Sequence, residues 1–308
     1  MVSGLPFFRI AGTAESLNYD LSEEENSMGL DQHSYQTMDY GREDRQKIDV
    51  FTPGDNANGK GLFFIHGGGW SAGHRSQWHP VAHYFRVKGF LCASIGYRLA
   101  PVYNYASQLE DIRSAVAALT QNAASLGIEE KEFALIGSSA GGHLAAMLSA
   151  MPADEKLGLK WGQTRMDTQP KAAVLYCPAT DLRPESNEPG LLSSISGLLG
   201  EDINGESRHE ELFRKLSPLF YSRGRSAART LILHGDADDT IALAQSQAYH
   251  QMLQENGTDS RLVVLEGVHH GFGYGVDSEA QKLALGHIEQ FLHSVFALPS
   301  GGEARNGD

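Results

Sequence analysis

The chain has 308 residues, of which 41% are apolar and 20% charged, and its 38 acidic against 25 basic residues give a formal charge of −13. That size and composition fit a globular protein of one large α/β domain or two small ones, with room for a sizeable core. The negative balance argues against nucleic acid or an anionic membrane as main partner, and no window approaches the roughly 20 apolar residues of a membrane span.

Residues 1–45 are polar and irregular, with an acidic cluster at Glu23, Glu24 and Glu25. They read as an extension able to act as a lid, and no basic region followed by an apolar core marks a secretory signal. Strands are then predicted at 47–53, from 61 ("GLFFIHGGG"), and at 90–97, 132–139, 172–182, 229–238 and 260–267. Helices are predicted between them at 76–88, 104–126, 140–151, 243–256 and 278–297. In the second helix Leu109, Ile112, Val116 and Leu119 recur at helical spacing. Continuous apolar strands alternating with helices imply a doubly wound, mostly parallel sheet covered on both faces. Residues 183–227 are too long for a simple connection and read as short helices above the sheet edge, a cap-like insertion on a domain spanning 46–298. The tail at 299–308 reads as disordered.

Cys92 and Cys177 each fall in an apolar run that reads as a buried strand. A disulfide framework and a cysteine-based zinc site are not expected, and two isolated thiols suit a reducing, cytoplasmic compartment.

The stretch "LIGSSAGG" ends a strand and opens a helix, and Gly137-Ser138-Ser139-Ala140-Gly141 has the spacing G-x-S-x-G. A strand-to-helix turn that tight tolerates little bulk beside its apex, and it lifts Ser139 above the sheet at the helix N-terminus. Ser138 occupies the variable position before the apex. A serine hydroxyl is a weak nucleophile without a base, and the base needs an orienting acid. Downstream, "LHGDADDTI" offers Asp236, Asp238 and Asp239, and "LEGVHHGF" offers His269 and His270, each group at a strand end. The run His66-Gly67-Gly68-Gly69-Trp70 follows another strand, where backbone N–H groups can turn inward to cradle a developing oxyanion with the N–H of Ala140.

These stretches together resemble the α/β-hydrolase family, and more narrowly the HGGG carboxylesterases related to hormone-sensitive lipase and to bacterial feruloyl or acetyl esterases. The carrying residues are "FIHGGGW", "GYRLAP", "GSSAGGHLAA", "CPATDL", "LHGDADDTI" and "HHGF", in order between about residue 40 and residue 297. The resemblance implies an α/β-hydrolase fold with a small cap insertion and a catalytic set of Ser139, Asp238 and His270. It also implies Gly68, Gly69 and Ala140 as oxyanion donors. Where the family often reads Asp-x-x-Val-Pro, this chain reads Asp238-Asp239-Thr240-Ile241-Ala242, which keeps Asp239 in view as the acid. The implied activity is hydrolysis of small to medium carboxylic esters, including acetyl, aryl or feruloyl esters, through an acyl-enzyme, with no metal or organic cofactor. An arylformamidase-type amide hydrolase and a silent binding protein on the same scaffold are the alternatives. The expected partner is a small-molecule ester, with a homo-oligomer possible.

Five further features have bland readings. Trp70 lines an acyl pocket or belongs to the core. His143 packs behind the elbow. Tyr97 and Arg98 support the site or merely pack. His79 and His83 stand at metal-ligand spacing on a helix but lack the glutamate of H-E-x-x-H. Asp181 is a rival acid with a structural reading.

Overall fold

The computed structural model describes residues 35–160, 168–200, 210–221 and 228–298, together with the backbone of Arg9–Ile10. Its strands are β1 (Arg9–Ile10), β2 (Gln36–Asp39), β3 (Lys47–Phe51), β4 (Gly61–Ile65), β5 (Leu91–Ile95), β6 (Phe133–Ser138), β7 (Ala172–Tyr176), β8 (Arg229–Gly235) and β9 (Ser260–Leu265). They form one sheet in the order β1-β9-β8-β7-β6-β4-β5-β3-β2. The β2–β3 and β3–β5 pairs are antiparallel and all others are parallel.

The register brings the carboxyl ends of the parallel strands to one edge. Ile65 pairs with Gly137, Gly137 with Leu175, Tyr176 with Leu233 and Gly235 with Leu265. Loops leaving β4, β6, β8 and β9 therefore open on the same side, where ligands bind in open α/β sheets.

Alternation along each strand divides the interior in two. In β4, Phe63 and Ile65 join one core, while Leu62 and Phe64 face the other. In β6, Phe133 and Leu135 split from Ala134 and Ile136 in the same way. Because side chains alternate with a period of two, a strand buried on both faces has no polar side, which is why these strands read as unbroken apolar runs. Helices α1 (His79–Arg86) and α8 (Glu279–Phe296) cover one face through Val81, Phe85, Ile288 and Phe291. The opposite face is covered by α2 (Tyr105–Gln121), α3 (Ala140–Ala150) and α7 (Leu243–Glu255). The predicted 76–88 helix is a 3-10 turn at Arg75–Trp78 running into α1, and Pro80 sits in the first turn of α1.

Between β7 and β8 the chain forms α4 (Pro189–Leu199), α5 (Glu210–Leu216) and α6 (Pro218–Tyr221). The rest of the expected insertion, 201–209 and 222–227, lies outside the described residues, as do 1–8 and 11–34 of the expected lid and the expected tail. The stretch read as irregular ends in β2, an exposed edge strand. Its sequence, QTMD, carries no apolar alternation, and its pairing comes from β3. Among the described residues no helix is long and apolar enough to cross a membrane.

Beside the sheet, Asp111 on α2 is fully buried and accepts from Gln46 Nε2 (2.7 Å), the Arg98 N–H (2.8 Å) and Arg98 Nη2 (2.6 Å). This pair fastens α2 to the loop after β5. Asp111→Ala leaves the Arg98 guanidinium without its main partner, so urea denaturation of the variant is expected to show a loss of about 3–5 kcal/mol.

Candidate active site

β6 ends at Ser138, and Ser139 adopts φ 55° and ψ −119° before α3 begins at Ala140. The backbone must pass very close to its neighbours here. A Cβ on Gly137 would stand 2.2 Å from the Gly141 carbonyl oxygen, and one on Gly141 would stand 2.1 Å from that of Ile65. The Ser139 N–H donates to the Tyr176 carbonyl of β7 (2.8 Å). Its side chain faces the carboxyl edge of the sheet, whereas Ser138 is fully buried.

Ser139 Oγ lies 2.9 Å from His270 Nε2, and His270 Nδ1 lies 2.7 Å from Asp238 Oδ2. The carboxylate can only accept from Nδ1–H, so Nε2 is free to accept the serine proton. Asp238 Oδ1 accepts from the N–H groups of Thr240 and Ile241, both at 2.9 Å. A second imidazole also reaches this acid: His234 Nε2 is 3.2 Å from Oδ2 and 2.9 Å from the Ile241 carbonyl. Both acceptors place the proton on Nε2, so His234 Nδ1 accepts from Ser246 Oγ (2.7 Å).

Burial of Asp238 favours its neutral form, but bonds from His234, His270 and the Ile241 N–H outweigh that and hold the carboxyl well below the usual carboxylate range. Burial of His270 pulls its imidazolium the other way. The interactions with Asp238 and with the neighbouring Cys177 prevail, and the ring is more basic than a free histidine.

The other candidates at these strand ends have different places. Asp236 is exposed and accepts from the Gly267 N–H (2.7 Å), tying the β8 and β9 loops together. Asp239 and His269 are exposed. Asp181 is engaged by Arg183 (2.7 Å) and Ser186 (2.7 Å). His79 Nε2 donates to Asp49 Oδ2 (3.0 Å), so it is taken up by a structural hydrogen bond.

The glycine loop leaves β4 beside the elbow. Gly68 and Gly69 have φ of 112° and 56°. Among the described residues, the N–H groups of Gly68, Gly69 and Ala140 have no hydrogen-bond acceptor. The loop is fastened by residues that the motif does not include. Tyr274 Oη, from the loop after β9, accepts from the Gly67 N–H (2.6 Å). His66 is buried, stacks on Tyr97 at 4.3 Å and bonds the Gly67 carbonyl through Nδ1 (2.8 Å). Burial pushes its pKa down to about 3, so the ring is neutral and a donor there. Tyr97 Oη donates to the His66 carbonyl (2.9 Å) and Arg45 Nη2 to the Gly73 carbonyl (2.7 Å). Tyr97 thus supports the loop, whereas Arg98 serves the α2 anchor described above. No local pattern in the sequence marks Tyr274 or Arg45, because each acts across a long chain separation.

Trp70 is 1% exposed and belongs to the core, so of its two readings the core holds and the substrate-lining one does not. Its indole N–H donates to His143 Nδ1 (3.2 Å), and His143 Nε2 bonds the Leu216 carbonyl (2.8 Å). Burial pushes the His143 pKa down to about 4. This neutral histidine sits behind the elbow and joins α3 to α5. From the insertion, Ser194 on α4 approaches the glycine loop: a Cβ on Gly69 would meet its Oγ at 3.1 Å.

Known proteins share this arrangement of elements. Thermogutta terrifontis esterase 2 phosphonylated by sarin superposes with a TM-score of 0.75 at 25% identity, covering 88% of this chain and 99% of that one. Its native form gives a TM-score of 0.73 at 26% identity, over 88% and 96%. Esterase LipQ of Mycobacterium tuberculosis is 28% identical over 89% of this chain and 66% of its own length. The ethyl acetate hydrolase of Pseudomonas putida is 28% identical over 70% of this chain and also 66% of its own. The chain thus spans just under two thirds of the length of these two curated relatives. The BD-FAE family model matches residues 48–253, from β3 through the glycine loop, the elbow and Asp238 into α7. By that match, and by the sheet and loops that carry it, the chain belongs to the BD-FAE family of α/β-hydrolases.

Proposed function

We propose that the protein is a serine carboxylesterase in which Ser139 is the nucleophile, His270 the general base and Asp238 the orienting acid. The observation that carries this reading is the continuous line of contacts from Ser139 Oγ through His270 to Asp238, at 2.9 and 2.7 Å. Nothing but a proton transfer is needed to start the reaction. His270 Nε2 takes the Ser139 proton as Oγ bonds to the ester carbonyl carbon. The carbonyl oxygen becomes an oxyanion facing the N–H groups of Gly68, Gly69 and Ala140, and each such donor is worth about 3 kcal/mol in the transition state. The C–O bond to the alcohol then breaks, and the imidazolium returns its proton to the leaving oxygen. Water attacks the acyl-enzyme with its proton going to His270, and the carboxylic acid departs as Ser139 is reprotonated.

We favour short acyl groups for this site, because Ser194 on α4 approaches the glycine loop closely: a Cβ on Gly69 would meet its Oγ at 3.1 Å. Similar proteins point the same way: one is named for ethyl acetate, and the Thermogutta enzyme has been solved with propionate and with butyrate. Acetyl and small aryl esters are the proposed substrates. Rates are expected to fall from p-nitrophenyl acetate to p-nitrophenyl octanoate, with N-formylkynurenine slower than either. Faster turnover of the formamide would favour amide hydrolysis instead.

A fluorophosphonate probe followed by peptide mapping is expected to label Ser139 and no other serine. Labelling of Ser138 or of none would defeat the assignment. His270→Ala is expected to lose at least about 1,000-fold in kcat/KM, while His269→Ala, exposed and outside the line of contacts, keeps most of it.

The free enzyme needs neutral His270, and Asp238 raises the pKa of that ring. Activity should therefore be lost as pH falls through the raised value and be restored above it. A plot of kcat/KM against pH is expected to rise through one deprotonation with a midpoint above the ordinary histidine value of about 6.5. Asp238→Asn should move that midpoint downward and cut the rate about 10,000-fold.

A further inference from the structure

The strand that lies between the serine and the acid contributes none of the three reacting residues, yet it delivers a thiol to them. β7 sits between β6 and β8, so the residue that follows it emerges between Ser139 and Asp238. That residue is Cys177, held at φ 36° by its N–H to the Leu233 carbonyl (2.8 Å) and fully buried. Its Sγ, a carboxylate oxygen of Asp238 and a ring nitrogen of His270 all lie within 4.8 Å of one another. The ester chemistry above gives the thiol no task.

We propose that Cys177, Asp238 and His270 form a binding site for one zinc ion, whose arrival switches the esterase off. Thiolate, carboxylate and imidazole are the three ligand types zinc prefers, at about 2.3, 2.0–2.2 and 2.0–2.1 Å. Two donors at those lengths and a tetrahedral angle stand roughly 3.3–3.6 Å apart, so the His270–Asp238 contact opens from 2.7 Å and the Cys177 sulfur draws in, with shifts of about an ångström. The carboxylate is already oriented by the Thr240 and Ile241 N–H groups and by His234, the kind of outer support that metal ligands require. The side chain of His270 is 18% exposed against 1% for Asp238, so the ion enters from the imidazole side and a water completes the coordination there.

The protons account for the inhibition. The thiol proton leaves to solvent as the Zn–S bond forms. The ring nitrogen facing Asp238 is Nδ1, and it binds zinc only after losing its hydrogen, which passes to Nε2. Nε2–H has no lone pair for the Ser139 proton, so the nucleophile stays a neutral hydroxyl. The inhibition rests on the esterase reading, whereas binding does not.

The test uses the full chain, freed of metal with a chelator, and its Cys177→Ala variant, with folding compared by circular dichroism. Calorimetric titration with zinc chloride is expected to show one tight site in the parent. The variant should lose affinity at that site by more than the roughly 100-fold that loss of an outer-shell partner costs. With cobalt chloride, the parent should show a thiolate-to-cobalt charge-transfer band that the variant lacks. Saturating zinc should suppress fluorophosphonate labelling of the parent, with recovery on adding EDTA, and leave the variant's rate unaltered. Equal zinc affinity in both proteins, or no thiolate band, overturns the proposal. If alanine prevents folding, Cys177→Ser carries the same expectations, since a hydroxyl is a poor zinc ligand. Failure of the probe to label the metal-free parent at all counts against the esterase reading, and the titration still decides the metal site.

Discussion

Three backbone segments meet at one point, and the site depends on that contact. Gly137 at the end of β6 lies against Gly141 in the first turn of α3, and Gly141 lies against the Ile65 carbonyl at the end of β4. Any side chain at either glycine would collide with backbone, which cannot swing away. The close approach forces the reversal at Ser139, a non-glycine residue at φ 55°. A residue so placed costs on the order of 1–3 kcal/mol and persists only where its surroundings leave no alternative. Here the Ser139 N–H is fixed to β7 and its carbonyl accepts from the His143 N–H in α3. The same contact sets where the glycine loop leaves β4, so the hydroxyl and the proposed oxyanion donors share one origin.

Asp238 imposes the second constraint. Its side chain is buried, and a buried carboxylate is tolerated only when its charge is met from several sides. Two backbone N–H groups meet one oxygen, and two imidazoles meet the other. The turn from Asp238 to Ile241 supplies the first pair from its own chain, which is why the loop after β8 is short and tight. His234 comes from the end of β8, four residues earlier, with its tautomer fixed by the two acceptors at Nε2, Asp238 and the Ile241 carbonyl. Each donor orients the carboxylate toward His270 while stabilising its charge. The requirement to keep an acid ionised in the interior and the requirement to aim it at a base are thus met by the same bonds.

How much of this is legible in the sequence follows from the range of each interaction. The seven predicted strands are marked by local apolar runs and the five predicted helices by local apolar spacing, and each has an observed counterpart shifted by a few residues at its ends. The largest trimming is in the strand expected to run to 182, which stops at Tyr176, because Cys177 turns out of the ladder at positive φ. Edge strand β2 escaped notice because it is short, mostly exposed with only Met38 packed against the core, and borrows its pairing from β3. Ser139, Asp238 and His270 could be singled out because each follows an apolar strand within a compact motif. The choice between His269 and His270 needed the resemblance, since both leave the same strand end. Trp70 was undecided for a physical reason: it follows the glycines directly, and only its partner His143 turns it inward.

The fastening of the glycine loop is the part no local pattern can disclose. Donors with the proposed role would face a reacting oxygen that is absent most of the time, so their own hydrogen bonds could not hold them in place. The loop is instead held from behind, by Tyr274 at Gly67, His66 at the Gly67 carbonyl and Arg45 at Gly73. Tyr274 stands 207 residues from Gly67 in the chain, and it belongs to the loop that carries His270. One phenol therefore couples the position of the base to the position of the donors. The same topology explains the thiol in the site. Serine leaves β6, acid leaves β8, and the strand between them has to end at the same edge. Whatever residue follows β7 is obliged to line the acid and the base, and in this chain that residue is a cysteine.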